Sequence, residues 1–413
     1  MSRASFLLLI CLVCPLCTFA DTITELMGSK TIYVKDDIDL KGRKFVLPSN
    51  GLLVFQGGTI RNGTLVGNCS DINAGSYTIF KNVVLEGSWN VAQSYPEWMG
   101  CEANSRLDCS EAINKVVDIT SGKVSFTRGC YYITQPIHTY KANVEIGNND
   151  TIRAMSPMEY MVLLDSHDNG VMTLRTHARI YGGGVLDGNQ KAKIGVTLRK
   201  CLRAQVSEIT ICNTLKYGFQ AALNSTEAGN SVLSNVVFLN PHSVDDAIAI
   251  NNNRADCTYQ NIGIVNYRTA VISSGTNAKF TNVQPWIVNS SFWQNSVAFD
   301  CYSPYIIMYG CGADTMRKFI KCHSDYFFAS VVNCAAFKND KVVSDALAMK
   351  YPPVIIDKNN TKYSQIQMVG GVYWYNIPYK IFSDVSQSDQ ILINRYNSSK
   401  ANLKSNVANT SDK

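Results

Sequence analysis

The sequence predicts an all-β protein, a right-handed parallel β-helix (solenoid) with a short helix near its N-terminal region. Two observations carry this prediction. Alternating apolar segments end in Asn213, Asn240, Asn266 and Asn295, at intervals of 26 to 29 residues. Each is followed by a second alternating segment, and the interval leaves no room for a long helix. Coils of two or three short strands, stacked about 4.8 Å apart, satisfy both observations.

The repeat itself consists of two series of segments. The first series reads "ITICN", "VVFLN", "IGIVN" and "SFWQN", and the second reads "FQAAL", "AIAI", "TAVI" and "SVAF". A fifth unit, "FIKCH", ends at His323 and is followed by "YFFASVV". Asn tolerates a left-handed backbone and can bond stacked neighbours. We therefore expect the four Asn residues of the first series to stack at equivalent turns.

The N-terminal 20 residues have the layout of a cleavable secretory signal. They contain an early Arg3, an apolar stretch too short to span a bilayer comfortably, and Thr-Phe-Ala before Asp21. A retained membrane anchor is the alternative interpretation. The signal predicts a protein that is secreted, periplasmic or on the cell surface, with no membrane span after cleavage.

The rest of the chain divides into three parts. Residues 21–95 are short β-rich runs with Gly, Asn and Asp turns, which predict initial coils or a small β-subdomain. Residues 96–385 form the β-helix domain, and "SEAINKVVDI" within it has helical spacing with Ser110 as its cap. Residues 386–413 are a polar tail.

Composition and charge narrow the function classes. The net charge is +6 without long Lys or Arg runs, which disfavours nucleic-acid binding and permits an anionic polysaccharide partner. The 14 cysteines show no CxxC or Cys/His spacing suited to zinc, and Cys101 with Cys109 is a candidate local pair. No metal site and no cofactor are predicted from these patterns, and the oligomeric state is left open.

Several motifs resemble a known superfamily. "EWMG…LDCSEAINKVVD…GKVSFTRGCYYIT" resembles the opening segment of pectate-lyase-like β-helix proteins. "YGGGVLDGN" and "DDAIAI" resemble elements of the polygalacturonase branch, glycoside hydrolase family 28. That branch carries Asn-Thr-Asp, Asp-Asp, Gly-His-Gly and Arg-x-Lys elements on successive coils. The Gly-His-Gly and Arg-x-Lys elements have no counterpart in "NYRTAVISSG" and "NSVAFDCYS".

The resemblance and the residues together indicate candidate acids and bases. Asp245 and Asp246 match the Asp-Asp element, and Glu227, with Thr226, stands loosely for Asn-Thr-Asp one coil earlier. Inverting glycoside hydrolysis needs one carboxylic acid and one carboxylate. We therefore predict Asp245, Asp246 and Glu227 as catalytic residues. The alternative interpretation makes the Asp pair a turn cap.

Further residues near the acid pair are candidates for substrate binding. Arg268, one coil later, could clamp a substrate carboxylate or neutralise the acid pair. His242 could assist the acids, and Tyr267 could stack on a sugar. Asp187, within a Gly-rich turn, is predicted to be structural. Exposed aromatic residues could line a sugar groove: Trp286, Trp293, Trp374 and Tyr375.

Three function hypotheses follow, because β-helices host several activities. The first is a secreted glycoside hydrolase that cleaves a polysaccharide in a groove along the helix. The second is a polysaccharide lyase acting on a uronate-containing glycan, for which calcium is a possible cofactor. The third is a non-catalytic glycan-binding or tailspike-like protein. The enzyme hypotheses are favoured because doubled carboxylates at a turn suggest a purpose.

Overall fold

The protein is a stack of β-coils whose strands pair in parallel. A computed structural model describes residues 29–166, 175–223, 229–359, 361–370, 377–384 and 390–394. Each strand pairs with its equivalents in the neighbouring coils, as a solenoid requires. The observed class is the predicted one, a right-handed parallel β-helix with a short helix near its N-terminal region.

The strands form three large sheets and one small one. The six strands of the N-terminal sheet are Thr31–Val34, Ile38–Asp39, Lys44–Val46, Leu52–Phe55, Ile60–Asn73 and Phe80–Trp89. The ten-stranded sheet contains Ile137–Thr139, Met158–Asp165, Ala192–Arg199, Tyr217–Gln220, Ile248–Asn252, Thr269–Ser273, Val297–Cys301, Lys318–Cys322, Val354–Lys358 and Lys380–Phe382.

The eighteen-stranded sheet supplies the other sides of the coils. Its strands are Val91–Ser94, Thr120–Phe126, Cys130–Ile133, Asn143–Ile146, Thr151–Ala154, Arg179–Tyr181, Val185–Asp187, Gln205–Ser207, Thr210–Cys212, Val232–Leu239, Thr258–Val265, Lys279–Trp286, Tyr305–Tyr309, Gly312–Asp314, Tyr326–Val332, Ala335–Phe337, Tyr363–Val369 and Gln390–Asn394. Arg175–Thr176 and Cys201–Leu202 pair separately. Val91–Ser94 pairs in parallel with Thr120–Phe126.

Helices are short and few in the described ranges. Two α-helices, α1 (Ser110–Ile119) and α2 (Asp345–Lys350), and two 3₁₀ turns, Pro96–Met99 and Ser290–Asn295, interrupt the coils. The predicted helix is confirmed, but Ser110 as its cap is wrong. Cys109 is the N-cap, while the Ser110 hydroxyl donates to Asp108 and accepts from the amides of Thr134 and Gln135.

The core runs along the axis as ladders of apolar side chains. One such ladder of the ten-stranded sheet follows the register from coil to coil and consists of Ile137, Val162, Val196, Phe219, Ile250, Val271, Phe299, Ile320, Ile356 and Phe382. All of these side chains are buried. Burial of like residues above like residues explains why the apolar pattern repeats once per coil.

Three of the four predicted Asn positions are equivalent. Asn213, Asn240 and Asn266 each follow residues in mutual register at the ends of their strands. The Nδ2 of Asn240 donates to the carbonyl of Asn266, and the Nδ2 of Asn266 donates to that of Asn240, both at 3.0 Å. The prediction for Asn295 is wrong, because "SFWQN" is a 3₁₀ turn and the matching strand ends at Trp286.

The prediction that the fifth unit continues the first series is also wrong. "FIKC" forms Lys318–Cys322, which pairs with Val297–Cys301 in the ten-stranded sheet. It therefore continues the second series, "SVAF", and His323 follows a strand of that sheet. The two series have similar apolar alternation, so periodicity alone did not separate them.

A second Asn ladder lies within the long strands and was not predicted. Asn235, Asn261 and Asn282 have φ values of 54°, 54° and 51°, which bend their strands. The Nδ2 of Asn261 donates to Oδ1 of Asn235, and the Nδ2 of Asn282 donates to Oδ1 of Asn261, both at 3.1 Å. A left-handed backbone conformation at equivalent positions thus bends each coil, and Asn adopts this conformation with little strain.

We expect Asn261→Ala to lower the free energy of unfolding by about 1–2 kcal/mol, the cost of a left-handed conformation for Ala. Asn261→Gly should lose less, because Gly adopts this conformation freely. Urea denaturation of both variants, with the exposed neighbour Gln260→Ala as control, measures the difference. Equal losses in the Ala and Gly variants would contradict a conformational role for Asn261.

Candidate functional site

The outer face of the ten-stranded sheet carries a row of mostly polar side chains. This row, the outer row, lies one residue after the buried ladder and therefore points to the opposite face. Its members are His138, Leu163, Thr197, Gln220, Asn251, Ile272, Asp300, Lys321 and Asp357. Leu163 and Thr197 are fully buried, so the part of the row that an extended ligand can reach at the spacing of the coils begins at Gln220 and ends at Asp357.

Asp300 is the most closely held carboxylate in the C-terminal half of the outer row. Its residue is 8% exposed, and its Oδ1 accepts a hydrogen bond from Nε2 of His323 at 2.7 Å. Nδ1 of His323 accepts from Nδ2 of Asn359 at 2.8 Å, so this arrangement places the imidazole proton on Nε2. Within the described residues, Oδ2 of Asp300 has no hydrogen-bond partner. The carboxylate is oriented at one oxygen and open at the other.

An exposed aromatic ring lies beside this carboxylate. Tyr302 stacks on His323 with ring centroids 4.0 Å apart and an interplanar angle of 5°, and it is 50% exposed. Burial, and then the Asp300 charge, raise the pKa of the Tyr302 phenol. Tyr302, His323 and Asn359 occupy equivalent positions on three successive coils, one residue past their strands. The stack offers a flat surface next to an oriented acid.

A second carboxylate stands two coils further along the outer row. Asp357 follows Asp300 with Lys321 between them. Nζ of Lys318 lies 2.7 Å from Oδ2 of Asp357. Two coil spacings correspond to about 9–10 Å between the Cα atoms of the two acids.

The predicted acid pair lies at the other end of the strands. Asp245 and Asp246 precede Ile248–Asn252, and Arg268 precedes the next strand of the sheet. Nη2 of Arg268 lies 3.1 Å from Oδ1 of Asp246, and its Nη1 lies 3.9 Å from Oδ2 of Asp245. The side chain of Asp246 is 93% exposed. The structure thus brings Arg268 to the acid pair, as an ion pair on an exposed turn.

The remaining predicted site residues are distributed differently. Tyr267 is wrong as a stacking residue, because it is 1% exposed and its hydroxyl donates to the carbonyl of Leu239. Its ring packs within the apolar core that runs along the axis. His242 is exposed on the turn before the acid pair. Glu227 and Thr226 lie outside the described residues.

Two further sequence interpretations are settled by burial and hydrogen bonding. Asp187 is structural, as predicted: its Oδ1 accepts from the Asn189 amide and from Nδ2 of Asn213, and Nε of Arg153 donates to its Oδ2. Trp293 is fully buried and donates to the carbonyl of Tyr351, so it does not line a groove. Trp286 is half-buried, and Trp374 and Tyr375 lie outside the described residues.

A second His–Asp pair occupies the N-terminal end of the same face. Asp165 is 1% exposed, and its Oδ2 lies 2.8 Å from Nε2 of His138 and accepts from Nε of Arg199 at 2.9 Å. Burial alone would raise the pKa of Asp165, but the hydrogen bonds and charges of His138 and Arg199 outweigh it and lower the pKa to about 2. Asp165 is therefore ionised and fully engaged, as a carboxylate that holds its neighbours would be.

Because folding lowers the pKa of Asp165, we expect the free energy of unfolding to fall at acid pH. The contribution of Asp165 is present above its unfolded pKa near 3.8 and is lost as the pH falls towards 2. We expect about 2 kcal/mol of unfolding free energy to depend on this group over that range. Denaturant unfolding from pH 5 to pH 2 should show Asp165→Asn less stable at pH 5, with the gap to wild type narrowing on acidification. The exposed control Asp256→Asn should run parallel to wild type, and a constant gap for Asp165→Asn would contradict the assignment.

The Asp300 site could have been found from the sequence with the correct alignment of the repeats. Placing "FIKCH" after "SVAFDC" in the second series puts Lys321 above Asp300 and His323 above Tyr302.

Metal and membrane features are limited in the described part of the chain. No three His, Cys, Asp or Glu side chains there lie close enough together to hold a metal ion. No helix in the described ranges combines the length and apolar character needed to cross a membrane. Cys101 and Cys109 form a disulfide, as the local pairing predicted.

The fold and its outer face define a parallel β-helix protein, and comparison with known proteins agrees. No family model matches the chain, and no curated protein matches it. Iota-carrageenase complexed to iota-carrageenan fragments is similar in structure, with a TM-score of 0.51, 10% identity and coverage of 75% of this chain and 93% of that chain.

Two viral proteins are similar to the same degree. ORF18 of Geobacillus virus E2 has a TM-score of 0.51 and 12% identity, covering 73% of this chain and 61% of that chain. A mutant tailspike protein of E. coli bacteriophage HK620 in complex with a pentasaccharide has a TM-score of 0.51 and 12% identity, covering 73% of this chain and 65% of that chain. The chain thus spans less than two thirds of these two proteins. The resemblance to pectate-lyase-like β-helix proteins is confirmed for the fold.

Proposed function

We propose that the protein is a carbohydrate-active enzyme that hydrolyses a polysaccharide on the outer face of the ten-stranded sheet, with Asp300 at the reacting bond. One observation carries this proposal. Asp300 is held through one oxygen by His323 and is open at the other, beside the half-exposed ring of Tyr302. An oriented carboxyl group can exchange a proton with a bound substrate, and a flat ring can cover a pyranose face.

The second carboxyl group of the proposed mechanism is Asp357. Inverting glycosidases place their two carboxyl groups about 6.5–9.5 Å apart, which leaves room for the attacking water. Two coil spacings separate the Cα atoms of Asp300 and Asp357 by about 9–10 Å, which permits a carboxyl separation in that range, whereas one spacing of about 4.8 Å is too short. We therefore propose hydrolysis with inversion at the anomeric carbon.

The substrate class is supported by two of the similar structures. The iota-carrageenase structure contains iota-carrageenan fragments, and the HK620 tailspike structure contains a pentasaccharide. Both share the fold of this chain at a TM-score of 0.51. An extended polysaccharide is the ligand that a long row of stacked polar residues would accommodate.

A polysaccharide lyase is the second candidate. Lys321 stands between Asp300 and Asp357 in the outer row, where an ammonium group could neutralise a uronate. A lyase would leave an unsaturated product, and calcium is a possible cofactor of such an enzyme. The third candidate, a glycan-binding protein without catalysis, would use the same face for binding alone.

The acid pair remains a competing catalytic set. Asp245 and Asp246 stay predicted catalytic residues with Glu227, and Arg268 and His242 stay predicted substrate contacts. The geometry favours Asp300, since Arg268 pairs with the acids on an exposed turn. Export from the cytoplasm also stays a prediction, because the first 20 residues lie outside the described part of the structure.

A polysaccharide screen tests the proposal. The purified protein should release new reducing ends from at least one polysaccharide, without an ultraviolet-absorbing unsaturated product. Proton NMR of the first products should show the inverted anomer. Unsaturated products would select the lyase, and saturable binding without any cleavage would select the non-catalytic protein.

A further inference from the structure

An open cavity lies at the turn that precedes the eighteen-stranded sheet on three successive coils. It has a volume of about 490 Å³ and is lined by His177, Arg203, Gln205, Asn230 and Val232. His177, Arg203 and Asn230 each come two residues before a strand of that sheet. Because these strands pair in register, the three residues occupy equivalent positions one coil apart. Ligand pockets have volumes of about 300–1,000 Å³, so this cavity is large enough for a small group of a larger ligand.

The backbone of this turn does not account for an arginine. His177, Arg203 and Asn230 have φ values of 60°, 56° and 53°, in the left-handed region. The next two coils carry Asp256 and Asn277 at the same position, with φ values of 59° and 56°. Asn, Asp and His are the side chains that adopt this conformation most readily. Arg203 is therefore the member of the series that the conformation leaves unexplained.

The guanidinium of Arg203 is exposed to solvent and available to a ligand. The backbone amide of Arg203 donates to the carbonyl of Gly229 at 3.1 Å, but its side chain forms no ion pair or hydrogen bond in the described part of the chain. Arg199 on the same coil is used differently, because its guanidinium pairs with the buried carboxylate of Asp165. A guanidinium offers five N–H donors in a planar arrangement that fits oxyanions. The donors of Arg203 are thus open to a ligand in the cavity.

The charges around the cavity favour an anion. No carboxylate is among the described lining residues, while the amides of Gln205 and Asn230 can donate hydrogen bonds. Arg179 is exposed and in register with Gln205, which brings a second guanidinium to the rim. The acidic member of the turn series, Asp256, lies two coils from Arg203, or about 9–10 Å between Cα atoms. Cationic and amide donors without an acid attract an anion and repel a metal ion.

We propose that this cavity binds an anionic group of a polysaccharide, a sulfate ester or a carboxylate, with Arg203 donating to its oxygens and Gln205 and Asn230 adding amide donors. The polysaccharide as carrier rests on the proposed function, whereas the anion site rests on the cavity itself. Arg203 follows the third strand of the ten-stranded sheet, and Asp300 lies on the seventh. Four coil spacings, or about 19 Å along the axis, therefore separate this site from the proposed catalytic residue.

Isothermal titration calorimetry of the full chain with dextran sulfate, polygalacturonate and neutral dextran tests the proposal. At least one of the two anionic polysaccharides should bind saturably, and more weakly as the salt concentration rises. Arg203→Gln should weaken this binding about tenfold, the scale for losing one hydrogen bond between charged groups. The matched control is Arg106→Gln, because Arg106 is also exposed with a left-handed backbone (φ 61°) but lies outside the cavity. It should bind as wild type does, and any binding of dextran should not depend on Arg203.

The outcomes identify the anionic group and separate this site from the catalytic one. Binding of dextran sulfate that depends on Arg203 assigns a sulfate ester, and such binding of polygalacturonate assigns a carboxylate. Asp300→Asn should retain this binding even where it loses polysaccharide cleavage. Absence of saturable binding for both anionic polysaccharides overturns the proposal, as do equal losses in Arg203→Gln and Arg106→Gln when circular dichroism shows both variants folded. Tighter binding of double-stranded DNA than of either polysaccharide, again dependent on Arg203, also overturns it.

Discussion

Asp300→Asn is expected to lower turnover on the polysaccharide that wild type cleaves by about a hundredfold or more, the usual scale for losing an acid or base. The thermal midpoint should change little, since the amide oxygen of Asn can still accept from Nε2 of His323. Asp357→Asn should cause a loss of similar size. Initial rates at saturating substrate, together with thermal unfolding, measure both effects.

The controls for this prediction lie on turns that adjoin strands of the same sheet. Asp325→Asn is the matched substitution on the turn after His323, where the exposed carboxylate pairs with Lys362, and it should retain turnover within a few fold. Asp246→Asn tests the competing acid pair. A hundredfold loss in Asp246→Asn with full activity in Asp300→Asn would move the chemistry to the exposed turn. If Asp300→Asn, Asp325→Asn and Asp246→Asn all lose turnover and all have lowered thermal midpoints, the lost turnover reflects impaired folding.

Phe299→Ala is expected to lower the free energy of unfolding by about 3–5 kcal/mol, the range for deleting a fully buried Phe. Phe299 is 0% exposed and lies within an aromatic series that continues over successive coils. Its ring centroid is 5.3 Å from that of Phe280 and 5.8 Å from that of Phe319, both edge to face. Removing the ring leaves a cavity between two coils and two lost aromatic contacts.

The matched control for this substitution is Phe337→Ala. Phe337 is 44% exposed at the end of a strand in the other large sheet, so its loss should cost less than about 1 kcal/mol. Urea denaturation of both variants gives the comparison. Equal losses in the two variants would show that the aromatic ladder contributes no more than a surface ring.

Much of the fold could be predicted from local pattern because the solenoid is built from local rules. Each coil repeats the same apolar alternation, and the interval between coils is a sequence distance that needs no long-range information. Asn213, Asn240 and Asn266 were placed correctly on this basis. Asn295 was misplaced because a 3₁₀ turn of similar composition replaced the strand end.

The candidate site was less predictable, since it depends on which segments become neighbours across coils. The acid pair stands out because its two carboxylates are adjacent in sequence, and the ion pair with Arg268 is one of the two roles that the sequence suggests for that residue. Asp300 and His323 are 23 residues apart and are joined only by the register of two strands. Tyr267 is the opposite case. Its sequence position beside a turn suggests an exposed ring, and only the packing shows that the ring is buried.

The sequence by itself determined the class of the fold, the short helix α1 and the stacking of Asn residues at one turn, because these follow from periodicity and residue chemistry. Only the tertiary structure decided which carboxylates meet a histidine and which residues are buried. If a segment is aligned with the wrong series of strands, every neighbour that it has in the adjacent coils changes, although its apolar pattern still fits. The oriented acid at Asp300 is a consequence of that packing, which no local pattern encodes.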